Sequence, residues 1–112
     1  MTTAQSATVF EIPAHVPREL VHDFDYIDMR GETDVFKFWG KLHEGPDIIY
    51  SPRYGGHWVL TRHDDIGAVY ANAEDFSSRV NTLPKDVVPF AIPPIETDGQ
   101  LHTDFRKLIA PF

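Results

Sequence analysis

The chain has 112 residues, of which 10 are Lys or Arg, 17 are Asp or Glu and none is Cys, and its formal charge is −7. That length holds one small domain, and the lack of cysteine excludes disulfides, thiolate-built metal sites and a thiol nucleophile within it. The acidic balance argues against nucleic acid or an anionic membrane surface as partner, because phosphate contacts need clustered cations.

Met1 to Phe10 places no cation ahead of a hydrophobic run, so no secretory signal is expected and the expected compartment is the cytoplasm. Residues 1–31 are interrupted by Pro13, Pro17 and Gly31, with little apolar support beyond Leu20-Val21. They are expected to lie as a strap over a core formed elsewhere. Within the strap, Asp23-Phe24-Asp25-Tyr26-Ile27-Asp28 invites a calcium-loop reading. It fails because Ile27 and Asp28 stand where such a loop needs an acid and a glycine, which leaves a polar surface strap.

Thr33–Leu42 is the clearest predicted helix. Val35, Phe38, Trp39 and Leu42 fall at i, i+3, i+4 and i+7, one helical stripe. Thr33 or Glu32 starts it, Asp34 suits the positive N-terminal end, and Gly45-Pro46 stops it. Full burial of those four side chains would contribute roughly 1.5–3 kcal/mol each. Ile48-Ile49-Tyr50-Ser51 and His57-Trp58-Val59-Leu60-Thr61 read as strands, and the turn formers Pro52-Arg53-Tyr54-Gly55-Gly56 between them predict an antiparallel hairpin. A second helix is expected to open at Asp64 or Asp65, with Ile66, Val69 and Tyr70 inward and Gly67 weakening it by about 1 kcal/mol. Phe76-Ser77-Ser78 leads out of it.

Residues 79–97 form a long connection with Pro84, Pro89, Pro93 and Pro94. Loops of this length are often lids or binding loops. Its Val80, Leu83, Val87, Val88, Phe90, Ile92 and Ile95 must face a core, a partner or an apolar ligand. Val87 to Ile95 is too short and too rich in proline to span a bilayer. A third helix is predicted from Asp98, as N-cap, to near Pro111, with Leu101, Phe105, Leu108 and Ile109 on one face. No later residue in the chain covers that face. The expected class is α+β and mainly helical.

His102 and Arg106 are the sharpest candidates for chemistry. At i, i+4 they stand one helical turn apart, and a guanidinium fork with a second donor can hold one carboxylate or phosphate. The alternative is a solvated helix face of ordinary neighbours. The remaining five histidines carry no metal-ligand spacing, Gly55-Gly56 reads as a turn rather than a phosphate loop, and Ser77-Ser78 lack a nucleophile's context.

The order of these pieces resembles the N-terminal portion of a bacterial cytochrome P450, a haem-thiolate monooxygenase. The resemblance spans nearly all of residues 13–112. It rests on the strap with His15-Val16-Pro17 and Asp23-Phe24-Asp25, the Gly55-Gly56-His57-Trp58 hairpin, Asp75-Phe76-Ser77-Ser78, and the run Asp98-Gly99-Gln100-Leu101-His102-Thr103-Asp104-Phe105-Arg106. It is closest to the camphor-hydroxylating group. The family pattern at the third helix is Asp-Pro-Pro-x-His-x-x-x-Arg. Asp98, His102 and Arg106 match it, and Gly99 and Gln100 replace the two prolines.

The resemblance implies a division into a strap at 1–31, helix–hairpin–helix at 32–78, a substrate lid at 79–97 and a haem-contacting helix at 98–110. It implies that His102 and Arg106 hold a propionate of haem b. Phe90 falls where the camphor-hydroxylating member places an aromatic against substrate, but without a hydroxyl it cannot bond a ketone. Ile92, Ile95 and Thr82 are further pocket candidates. The implied reaction inserts one atom of O2 into a C–H bond of a small hydrophobic substrate such as a terpenoid. Electrons come from a ferredoxin and its reductase, and Lys107 is a candidate for the cationic surface that receives the ferredoxin. The axial cysteine is expected beyond residue 112, so the chain alone is expected to be inactive. The rival class is a non-enzymatic α+β module that binds a ligand or partner through loop 79–97.

Overall fold

A computed structural model describes residues 9–29, 31–80, 82–84 and 89–111. The chain divides into two compact units, Met1–Leu60 and Thr61–Phe112.

The first unit is organised on the predicted hairpin. β1 (Ile48–Ser51) and β2 (His57–Leu60) pair antiparallel, with register from Ile48↔Leu60 to Ser51↔His57. The strap occupies the other edge of β1. Val21 bridges Tyr50 in parallel, His22 N donates to Tyr50 O at 2.9 Å, and Ser51 Oγ donates to Phe24 O at 2.6 Å. With both edges of β1 bonded, Ile49, Tyr50 and Ser51 are buried in succession, and Val16 of the strap is buried too.

The connection between the strands turns through left-handed backbone, with Tyr54 at φ +56° and Gly55 and Gly56 each at φ +86°. At Gly56 the freedom is needed twice over, because a Cβ there would lie 1.9 Å from the Tyr50 hydroxyl.

α1 (Val35–Gly40) is shorter than the predicted Thr33–Leu42 at both ends. Asp34, rather than Thr33 or Glu32, caps it, accepting from Lys37 N at 3.2 Å. Residues Lys41–Glu44 continue as a 3₁₀ turn. Glu32 instead accepts from Asp34 N at 3.1 Å and pairs with Lys37 and Lys41. The surface that receives the helix is the strap: Phe24 stacks on Phe38 and meets Trp39 edge-on, both at 5.6 Å. Val35 and Trp39 remain exposed, so the gain is well below that of four fully buried side chains.

In the second unit α2 (His63–Ala71) begins a residue before Asp64, which with Asp65 occupies its first turn. Val69 is half-buried, but Tyr70, expected inward, is 87 % exposed. Neighbouring helical residues point about 100° apart, so a short helix that covers Val69 turns Tyr70 out. Asn72 ends α2 early by bonding Asp75 through both side-chain atoms, Nδ2 to Oδ2 at 2.9 Å and Oδ1 from the Asp75 amide at 3.2 Å. The described part of loop 79–97 holds bends and a turn at 93–96, and α3 (Gly99–Ile109) follows. The apolar stripe of α3 stays open, with Leu101, Leu108 and Ile109 exposed and Phe105 half-buried. Among the described residues no helix is long and apolar enough to cross a membrane.

Candidate functional site

The entry to α3 fixes where His102 and Arg106 stand. Asp98 takes the N-cap position with extended backbone, as the sequence suggests, but its side chain makes no cap bond to α3. The carboxylate accepts instead from the Ser77 hydroxyl and, at 2.8 Å, from Ser78 N, while Arg79 N donates to Ser77 Oγ at 3.1 Å. The two ends of loop 79–97 are thereby tied together. The Ser77 hydroxyl first, then the Ser78 amide, hold the Asp98 carboxyl below the usual carboxylate range against its desolvation, with Arg79 and His102 adding to the effect. Ser77-Ser78 offer only a faint sequence signal for this role, because their partner lies twenty residues on. Gly99 opens the helix at φ +60°, a value closed to the proline of the family pattern.

The half-buried His102 is oriented by the loop. Its Nδ1 lies 2.9 Å from Pro94 O, a carbonyl that also accepts from Thr97 Oγ1 at 2.7 Å and Thr97 N at 3.3 Å. The same turn is closed by Glu96 N to Ile92 O at 2.8 Å and by Ile92 N to Glu96 Oε2 at 2.9 Å. Ile92 and Ile95, two of the pocket candidates, therefore sit on the turn that sets the His102 ring. A carbonyl only accepts, so Nδ1 carries the proton and Nε2 is the nitrogen left for another partner. Arg106, about 6 Å further along α3 by helical rise, is exposed. Its guanidinium makes no hydrogen bond or ion pair among the described residues, and the nearby Asp104 is engaged by Gln100 at 2.7 Å. An unengaged imidazole nitrogen and an open guanidinium thus stand one turn apart, and the two suit a single anionic group when that nitrogen is protonated.

Phe90, 67 % exposed, and Thr82, also exposed, lie on either side of residues 85–88. Val87 and Val88 are outside the described residues. Ile92 and Ile95 are exposed as well, so these side chains take no part in the bonds that hold the loop.

The acidic run in the strap is more than a solvated surface. Asp25 is only 8 % exposed. Its Oδ1 accepts from Ile27 N at 3.0 Å, Asp28 N at 3.2 Å and the Tyr54 hydroxyl, and Arg53 reaches its Oδ2 at 3.3 Å while also bonding Asp23. Burial pushes the Asp25 carboxyl up, but Tyr54, the two amides and Arg53 outweigh it and leave the group below its ordinary range. The same bond to Asp25 pushes the Tyr54 phenol up to about 12. This cluster locks the strap to the hairpin turn. Among the described residues no group of His, Asp and Glu is arranged to hold a metal ion.

No family model matches this sequence. Solved structures do. The crystal structure of cytochrome P450 CYP101C1 superposes with a TM-score of 0.74 at 38 % identity, over 87 % of this chain and 25 % of that one. CYP101J2 gives a TM-score of 0.74 at 29 % identity, over 89 % of this chain and 27 % of that one. The chain has the fold of the N-terminal region of a cytochrome P450. It spans about a quarter of the length of these P450 structures. Its α+β character, with short helices and one two-stranded sheet, is that of this P450 region.

Proposed function

We propose that this P450 chain is the part of a haem-dependent monooxygenase that anchors haem b and shapes the mouth of the substrate pocket. His102 and Arg106 hold one propionate. Phe90, Ile92, Ile95 and Thr82 line the pocket for a small hydrophobic compound such as a terpenoid. The observation that carries the reading is the pair of unengaged groups on α3, His102 Nε2, a donor once it is protonated, and the Arg106 guanidinium, in a chain with the P450 fold.

Held by these residues, haem would supply the activation of O2 for insertion of one oxygen atom into a C–H bond. The contribution of this chain is to bind and orient. Arg106 neutralises the propionate, His102 fixes its direction, and the Pro94 carbonyl fixes His102. Phe90 offers an apolar surface and no hydrogen bond, so it selects by shape. In the whole protein electrons arrive from a ferredoxin and its reductase, and the compartment is the cytoplasm. In the full-length protein, Arg106→Ala should remove charge-assisted bonds of roughly 1.5–3 kcal/mol. That corresponds to about a ten- to hundredfold faster haem loss, measured by transfer to apomyoglobin. Unchanged haem retention would return the pair to the solvated-face reading, and a carbon monoxide difference spectrum without the thiolate-type Soret band would reject the monooxygenase.

A further inference from the structure

We propose that His102 holds its carboxylate partner only as the doubly protonated imidazolium, which makes the propionate clamp proton-linked. The inference rests on reading His102 and Arg106 as that clamp. Pro94 O is a pure acceptor 2.9 Å from Nδ1, so the Nδ1 proton is committed to the loop. A neutral His102 then has a lone pair on Nε2, and a lone pair facing a carboxylate repels it. Only a second proton, on Nε2, turns the ring into a donor toward the anion.

Among the ionisable side-chain types around the ring, imidazole is the one that ordinarily changes charge between about pH 5 and 8. Asp98 lies one turn before it on α3 and Arg106 one turn after; the adjoining loop brings Glu96 and, beside Asp98, Arg79. The Asp98 carboxyl is held below its ordinary range by Ser77 and Ser78, and neither carboxylates nor guanidiniums as side-chain types ordinarily change charge in the neutral range. Loss of the second proton as pH rises turns Nε2 from donor to acceptor. Above that point the clamp is reduced to Arg106. Because the Nδ1 bond is to the turn that carries Ile92 and Ile95, a shift of that turn would also release His102 from its fixed tautomer.

The test uses the full-length holoprotein and follows haem transfer to apomyoglobin by Soret absorbance between pH 6 and 9. The wild type should lose haem about tenfold faster at pH 9 than at pH 6. His102→Gln, whose amide donates at every pH, should be nearly flat across the range, and Arg106→Ala should be faster throughout. A flat wild-type profile, or an equal pH dependence in His102→Gln, overturns the proton linkage while an accelerated Arg106→Ala keeps the clamp. No change in either variant overturns both. Should His102→Gln fail to yield holoprotein, ring ¹⁵N shifts of the diamagnetic carbon monoxide complex decide the matter. Two protonated nitrogens on His102 at pH 6 support the proposal, and a proton on Nδ1 alone refutes it.

Discussion

Replacing Gly56 by alanine tests how the hairpin turn is built. Two costs add. The backbone at Gly56, φ 86° and ψ 133°, is a conformation that a residue with a Cβ adopts at about 1–3 kcal/mol. The new Cβ would also lie 1.9 Å from the Tyr50 hydroxyl and 2.9 Å from its ring carbon Cζ. Tyr50 has little room to yield. It is buried, packs edge-on against Trp58 at 5.1 Å, and its strand is bonded on both edges. Relieving such an overlap typically costs about 1–3 kcal/mol. Gly56→Ala should therefore destabilise the protein by roughly 2–6 kcal/mol, a large share of the ~5–15 kcal/mol typical of folded proteins. Gly55→Ala is the control, because Gly55 has the same φ of +86° but nothing within 4 Å of its added Cβ. Urea unfolding should show Gly56→Ala to be the more costly of the two, since the overlap exists only there. Tyr50→Phe, which removes the hydroxyl, should recover part of the Gly56→Ala loss in a double-mutant cycle. Equal losses at the two glycines, within about 0.5 kcal/mol, would refute the close approach.

Asp25→Asn should cost roughly 1.5–3 kcal/mol near neutral pH by weakening the charged bonds of the strap lock, read by urea unfolding. The pKa of Asp25 is lowered in the folded protein, so its contribution is present above its ordinary value near 3.9 and is lost as pH falls through the folded one. The Tyr54 phenol is raised to about 12, so its contribution is complete below its ordinary value near 10 and is lost as pH climbs to about 12. A stability profile of Asp25→Asn parallel to wild type at both extremes would contradict the lock. Gly99→Pro, which restores the family pattern, should destabilise by more than ~1 kcal/mol because proline cannot reach φ +60°, and a raised melting temperature would contradict the observed entry to α3.

The hairpin was legible because two β-prone runs and the proline and two glycines between them act locally and agree with one another. Helix type was legible for the same reason at 35–40, 63–71 and 99–109, while the ends were not, because they depend on side chains that cap them. Asp34 does cap its helix, whereas Asp98, an equally good candidate, gives its carboxylate to Ser77 and Ser78. Nothing within a few residues of Asp98 distinguishes those outcomes. The strap lock was hidden in the same way: Asp25 and its partners Arg53 and Tyr54 are 28 and 29 residues apart, and an acidic run taken alone reads as solvated. The spacing of His102 and Arg106 was plain in the sequence. The Pro94 carbonyl that sets the tautomer of His102 was not, since a backbone acceptor has no residue signature.

The bonds described for loop 79–97 lie at its polar groups. Its ends are closed by Asp98 with Ser77 and Ser78, and its last turn by Pro94 O with Thr97 and His102. A long loop pays for its closure in chain entropy whatever its composition, with each doubling of length adding only about 0.6 kcal/mol. Fixing its two ends with hydrogen bonds therefore spares the apolar side chains between them from that task. Phe90, Ile92 and Ile95 are exposed accordingly. With Phe90, Ile92 and Ile95 exposed and the last turn bonded to His102, a change in what those side chains meet is linked through the Pro94 carbonyl to the orientation of the His102 ring.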